Sequence, residues 1–239
     1  MSTTSADPRT LTIDIGGTGI KMLPVDGRGE PLAERARTLT PSPAEPDRVC
    51  EVIERMIGAQ APFDRVSVGF PGVVVRGVVT TATNLGTEAW AGFDLQSVIA
   101  ASTRKPVRVI NDADLQGYGV IERRGTELVL TLGTGLGTAL YTNGHLVPNL
   151  EFAHHPLQDG RTYEDLVGNA ERKRVGKSTW RERVRFVFET LEPIFNYDLL
   201  HVGGGNARRL KGPLPENLRL FQNVEGLAGG VRLWEDDLP

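Results

Sequence analysis

The chain is poor in the features that staple a protein together or fix it to a surface. Among its 239 residues there is one cysteine, Cys50, which excludes an internal disulfide and a zinc site built from several thiolates; in its helix-like segment it implies a buried thiol. No stretch is long and apolar enough to span a membrane, and the opening "MSTTSADPRT" lacks the hydrophobic region of a signal peptide. Basic residues are not in excess: the net charge is −3, which argues against general nucleic-acid binding. What is left is an ordinary balance of 39% apolar and 24% charged residues, in a chain long enough for one large domain or two modest lobes. A cytoplasmic enzyme or binding protein is expected.

Glycine is present in a telling arrangement. In "LTIDIGGTGIKMLPVDGRGEPL" an apolar run breaks into Gly16-Gly17-Thr18-Gly19 and resumes at once at Ile20. A P-loop is missing, because no Ser or Thr follows Lys21 and no helix follows the glycines. A dinucleotide fingerprint is missing for the second of these reasons. The pattern is that of a hairpin whose uncovered backbone N–H groups can cradle an anion, with Lys21 expected on the sheet surface.

The same pattern returns at residue 127. "ELVLTLGTGLGTALYTNGHLVPN" reads strand, Gly-Thr-Gly turn, strand, Asn-Gly turn, strand, echoing residues 11–35 in order and approximate length. Between the copies, "DRVCEVIERMIGAQ" has helical spacing, "RVSVGFPGVV" is a strand entering a turn, and "GVVTTATN" is a strand expected to stop at Asn84. "FDLQSVIAAST" is a helix, "PVRVINDAD" a strand ending at Asn111-Asp112, and "LQGYGVIERR" helix-like. Beyond the second copy lie a helical "YEDLVGNAERKR", a long helix in "KSTWRERVRFVFETLEPIF", and a strand, "DLLHVGGG". A helix capped by Asn206, a strand in "LRLFQN" and a closing helix in "GLAGGVRLWE" complete the expectation. A duplicated hairpin unit followed by helices predicts an α/β chain of two similar lobes whose Gly turns point into one cleft.

Three glycine turns follow strands: Gly16, Gly17, Thr18 and Gly19; Gly133, Thr134, Gly135 and Gly137; and Gly203, Gly204 and Gly205. Two suit phosphate oxygens, and the third would let a base or further phosphate approach the backbone. Asp14 is placed either to bind Mg²⁺ through water or to satisfy local N–H groups. Asn84, Asn111 and Asp112 end apolar runs, where an open α/β sheet gathers ligand groups. Glu151, His154 and His155 follow the second hairpin unit, and Glu164 lies in "TYEDLVG". Short amides, carboxylates and imidazoles suit the hydroxyls of a sugar, and a carboxylate among them could take a proton from an attacking hydroxyl.

In their order, "IDIGGTGIK", "VGFPGVV", "TATN", "VINDAD", "LTLGTGLGTAL", "HLVPNLEFAHHP" and "VGGG" resemble the ROK-family sugar kinases, and most of all the polyphosphate glucokinase branch. The resemblance runs from about Leu11 to Trp234. It implies an actin-like (ribonuclease H-like) ATPase fold with a duplicated βββαβα unit around a central cleft. The expected organisation is a disordered start over 1–10, an N-terminal lobe over 11–112 and a C-terminal lobe over 113–225, with a C-terminal helix of about 226–236 packing back on the first lobe. Asp112 is implied as the general base, and Asn84, Asn111, Asp112, Glu151, His154 and Glu164 as the residues holding the sugar. The implied reaction moves a phosphoryl group from polyphosphate and/or ATP, with Mg²⁺, to the 6-hydroxyl of glucose or a close hexose. A kinase for mannose or glucosamine using ATP alone, or a non-catalytic sugar or nucleotide sensor, are the alternatives. A homodimer is expected by the same resemblance.

The departures from the family pattern carry information too. The cysteine-rich motif of many ROK kinases is missing after His154, so no structural zinc is expected. Glu-Leu-Gly-His appears as Glu151-Phe152-Ala153-His154. About ten residues precede the first hairpin, too few for the helix-turn-helix of ROK repressors. "RKRVGKSTWRERVR", residues 172–185, holds seven basic residues against Glu182 alone and reads either as a solvated face or as a track for a long polyanion.

Overall fold

The computed structural model describes residues 7–235. They form two compact units: the chain up to Gly119 with the segment from Leu227 onward, and the contiguous stretch Val120–Gly226.

In the first unit β1 (Thr10–Ile15), β2 (Ile20–Val25) and β3 (Ala36–Thr38) are followed by α1 (Pro46–Ile57) and β4 (Arg65–Phe70). Short strands β5 (Val74–Val75) and β6 (Val78–Val79), helices α2 (Thr87–Trp90) and α3 (Leu95–Thr103), β7 (Val107–Asn111) and α4 (Asp112–Tyr118) complete it. In the second unit come β8 (Thr126–Leu132), β9 (Leu136–Thr142) and β10 (His145–Val147), then a 3₁₀ turn over Phe152–His154. A small hairpin, β11 (Pro156–Gln158) and β12 (Arg161–Thr162), leads to α5 (Tyr163–Val167), α6 (Asn169–Phe195), β13 (Leu199–Gly203) and β14 (Leu218–Leu220). A last helix, α7 (Asn223–Ala228), spans the return to the first unit.

The two main sheets have one topology. Their orders are β3-β2-β1-β4-β7 and β10-β9-β8-β13-β14; in each the first three strands pair antiparallel and the last two join in parallel. The sequence repeat is therefore a structural repeat, with the glycine turn between the first two strands of each copy.

Strand alternation explains the packing. Leu11, Ile13 and Ile15 join Val49, Ile53, Leu95 and Ile99 in the core under α1 and α3. On the opposite face stand Thr10, Thr12, Ser67 and Gly69, small enough for main chain to approach closely. A Cβ on Gly69 would meet Asp112 Cα at 3.0 Å, and one on Gly230 would meet Thr12 Oγ1 at 2.1 Å. The C-terminal segment lies on this face, where Ser67 Oγ donates to Gly230 O at 2.6 Å and Trp234 Nε1 donates to Ser67 Oγ at 2.8 Å. Trp234 also stacks on the guanidinium groups of Arg65 and Arg108, 5.1 and 4.9 Å from its ring. In the second unit Leu128, Leu130, Leu132, Leu200 and Val202 pack on Trp180, Val184, Phe188 and Leu191 of α6.

Several expected elements differ. Of the expected start, residues 1–6 lie outside the described residues, while Thr10 is already in β1. The division falls after Gly119 instead of Asp112, because α4 packs on β4. The helix expected to reach Arg124 ends at Tyr118, since the Glu127 carboxylate takes the N–H groups of Glu122, Arg123 and Arg124. The strand expected to stop at Asn84 covers only Val78–Val79; Leu85 N–H closes a turn onto Ala82 O at 2.9 Å. Asn206 caps no α-helix: Ala207–Arg209 is a 3₁₀ turn, and the Asn206 amide donates to Gly133 O. The closing helix stops at Ala228, after which Gly229 and Gly230 pass too close to Leu115, Gly119 and Thr12 to carry side chains.

Candidate active site

The first unit carries the first glycine turn, Asn84, Asn111 and Asp112. Gly16 N–H closes the hairpin on Gly19 O at 3.1 Å, and Thr40 Oγ1 donates to Gly16 O at 2.5 Å. In a trans peptide the N–H points opposite the carbonyl, so holding Gly16 O turns the Gly17 N–H away from Thr40. Asn84 adjoins the turn: a Cβ on Gly17 would lie 3.5 Å from Asn84 Cβ. Asn111 is buried and caps α4, its Oδ1 accepting from Ala113 N and Asp114 N at 2.8 and 3.1 Å while its Nδ2 donates to Gly72 O at 3.2 Å. This fixes the start of α4 and hence Asp112, its first residue.

Asp14 and Lys21 form a pair, Nζ to Oδ2 at 2.5 Å, with Asp14 nearly buried. Lys21 thus reaches across the face of the sheet to Asp14, its cross-strand neighbour. Mg²⁺ seeks oxygen ligands and keeps much of its own water. At Asp14 an ammonium already stands against the carboxylate, and among the described residues no group of three or more His, Cys, Asp or Glu could hold a metal ion. The described residues thus offer no all-protein cage for Mg²⁺, a metal that is more often held by one or two carboxylates, water and the donor phosphates.

The second unit carries the second turn with Glu151, His154 and Glu164. Its carbonyls are tied back from outside, Asn206 Nδ2 donating to Gly133 O and Asn169 N to Thr134 O, each at 3.0 Å. By the same trans-peptide geometry the N–H groups of Thr134 and Gly135 face the other way, toward any anion on the turn. Arg172 donates to Asn169 Oδ1 at 2.8 Å through its Nη2 and Arg209 to Asn206 Oδ1 at 3.1 Å, which puts two guanidinium groups beside the same support. Glu164 Oε2 accepts from Leu136 N at 2.9 Å, so the turn already holds one carboxylate.

Glu151 precedes the 3₁₀ turn and His154 ends it, with Glu151 Oε2 and His154 Nε2 3.9 Å apart. Burial pushes the Glu151 carboxyl above its ordinary range; His154 opposes this and the charge of Glu164 adds to it. Phe152, where the family pattern has a smaller residue, packs edge-on to Tyr163 at 5.4 Å and against Phe195 at 5.3 Å. It belongs to the core of the unit, as does buried Ala153. His155 Nδ1 lies 2.8 Å from Pro156 O.

The third turn has packing reasons for its glycines. A Cβ on Gly203 would enter the Phe221 ring at 2.2 Å, and Gly204 has φ +84 with Leu132 O at 2.6 Å from a built Cβ; Gly205 alone is open. The basic run also divides. Arg174 and Arg183 bind Glu171, Arg181 donates to Arg209 O and Arg185 to Lys211 O. The partners missed from sequence are Lys21 for Asp14, and Asn169 and Asn206 under the second turn. Hairpin counting holds a signal for the first, since a turn centred on Gly17-Thr18 sets residue 14 opposite residue 21.

Comparison with known proteins places these features. The family model described as "ROK family" matches residues 10–151. A polyphosphate glucokinase of Mycobacterium leprae (strain TN) is 35% identical over 245 residues, covering 95% of this chain and 75% of that protein. Among solved structures, the inorganic polyphosphate/ATP-glucomannokinase from Arthrobacter sp. strain KM matches with a TM-score of 0.84 at 35% identity, over 95% of this chain and 98% of that one. A ROK family glucokinase from Streptomyces griseus, solved with glucose and AMPPNP, has a TM-score of 0.76 at 19% identity, over 94% of this chain and 98% of that one, and so shares the fold. The duplicated sheet is that of the actin-like ATPases.

Proposed function

Because the chain belongs to the ROK family, we propose that it is a hexose kinase that moves a phosphoryl group from polyphosphate and/or ATP to the 6-hydroxyl of glucose or a close hexose. The observation that carries this reading is the likeness to polyphosphate glucokinase over nearly the whole chain, which takes in every residue proposed for the reaction.

Asp112 accepts the hydroxyl proton as O6 attacks the terminal phosphorus and the bridging P–O bond breaks, the electron pair leaving with the shortened donor. Asn111, by capping α4, holds Asp112 in register for that transfer. Asn84, Asn111, Glu151, His154 and Glu164 hold the sugar hydroxyls. The glycine turns of both units receive phosphate oxygens through backbone N–H groups. Mg²⁺ enters the proposal as a companion of the donor phosphates, where it offsets their charge. A cytoplasmic homodimer is the proposed form. No helix among the described residues is long and apolar enough to cross a membrane.

A coupled assay of the purified protein, with glucose, mannose and glucosamine each offered against polyphosphate and ATP, tests the proposal. Mannose is included because the Arthrobacter relative is named for both sugars. Turnover of glucose with at least one donor is expected. No turnover of any hexose with either donor would leave a sensor of the same fold.

A further inference from the structure

Glu164 occupies a position that a phosphate-binding turn should keep free of negative charge. Its Oε2 accepts the Leu136 N–H at 2.9 Å, and a Cβ on Gly135 would lie 1.9 Å from that oxygen. Gly135 is glycine at least partly to admit this carboxylate. The side chain springs from a fixed base: in α5 Thr162 and Asp165 form reciprocal caps at 3.1 and 2.9 Å, and Tyr163, Leu166 and Val167 are buried. The turn is fixed as well, by Asn169 and Asn206. An anion reaching the N–H groups of Thr134 and Gly135 therefore meets Glu164 at close range, and like charges disfavour it.

The same carboxylate acts in the other direction, since its charge is one of those acting on Glu151. It thus touches the turn proposed to hold the donor and acts on Glu151, one of the residues proposed to hold the sugar, all within one unit.

We propose that Glu164 is an electrostatic gate on the donor turn: without sugar its carboxylate repels the donor's phosphates, and sugar hydroxyls that donate to it withdraw that repulsion. This rests on the reading of Glu164 as a sugar ligand. Binding of the two substrates is then positively coupled, and by linkage the donor tightens the sugar by the same factor. A donor phosphate would be held firmly only when an acceptor is present, which protects it from transfer to water.

The test uses the whole protein, with tripolyphosphate as the donor probe and 6-deoxyglucose as a sugar without the accepting hydroxyl, titrated calorimetrically at constant Mg²⁺. Wild-type protein should bind tripolyphosphate about tenfold tighter with the sugar than without, equivalent to about 1.4 kcal/mol. Glu164→Gln keeps an acceptor for Leu136 N–H but removes the charge; it should bind tripolyphosphate severalfold tighter than wild type without sugar, and gain less than about twofold from the sugar. Glu164→Asp, which withdraws the charge by one methylene, should fall between them. A merely structural clasp predicts the opposite sign, because loosening the turn weakens the anion. Glu164→Gln binding no tighter than wild type, or wild type without coupling, overturns the gate. Wild-type transfer to glucose tells this apart from failure of the kinase reading: transfer without coupling sinks the gate alone, and absence of any transfer sinks the kinase.

Discussion

Asp112 begins a helix that its neighbours hold in place. Asn111 caps the helix that it begins, and Gly69 lets that helix sit against β4. Asp112→Asn keeps this scaffold and the shape of the group, so kcat should fall about a hundredfold or more while the glucose KM stays near the wild-type value. Steady-state kinetics check this, and near-normal turnover would remove Asp112 from the mechanism. At this scale the sequence was legible in kind and less so in partner. Asn111 is expected as a sugar ligand, and its amide also caps a helix, while Lys21 faces Asp14 across the hairpin. Local strings name the groups, whereas burial and register decide what each one touches. Phe152 makes the same point: it departs from the family pattern beside Glu151, and its ring packs against the core with Tyr163 and Phe195.

Among elements, α6 is the least expected. It breaks at Gly176, with φ 81 and ψ 169, in the middle of the basic run. Glu171 spans the break, binding Arg174 before it and Arg183 after it, and Arg161 of β12 at 2.6 Å. A run of charges that looks like one face in one dimension is divided, with two of its seven cations closing on one carboxylate and others bound elsewhere. Arg174 first, then Arg161 and Arg183, hold the Glu171 carboxyl well below the ordinary range against the effect of burial. A carboxyl depressed in the folded state contributes stability above its unfolded pKa of about 4.3 and loses it as pH falls toward the folded value. Glu171→Gln should therefore lower Tm clearly at pH 7, and the gap between variant and wild type should narrow as pH drops to about 3. Thermal melts across that range decide it; a gap that does not change with pH would mean that the carboxylate's charge contributes nothing.

For the whole molecule, the duplication was the most legible feature, because a hairpin with a glycine turn repeats in order and length and both copies build the same five-stranded topology. The unit boundary was less so: a helix packed through a glycine, and a C-terminal segment lying on a face of threonine, serine and glycine, leave no periodic trace. That segment is anchored by Trp234 between two guanidinium groups, with burial and then Arg108 pulling the Arg65 guanidinium below its usual pKa. Trp234→Ala removes two cation–π contacts and the bond to Ser67, and should destabilise the first unit by about 2 kcal/mol or more. Chemical denaturation followed by a probe in each unit would show it; loss confined to the second unit would contradict the assignment.

The return of the chain to its first unit also sets an order of events during synthesis. Val120–Gly226 is contiguous and has all its strands once the ribosome has passed Gly226, whereas β1 and β4 were made long before. Through all that time the face bearing Thr12, Ser67, Arg65 and Arg108 waits for Gly230 and Trp234. The unit begun first is thus the unit that finishes folding last, and it must pass the making of an entire second unit with α4 alone on the face of its sheet that Gly230 and Trp234 later complete.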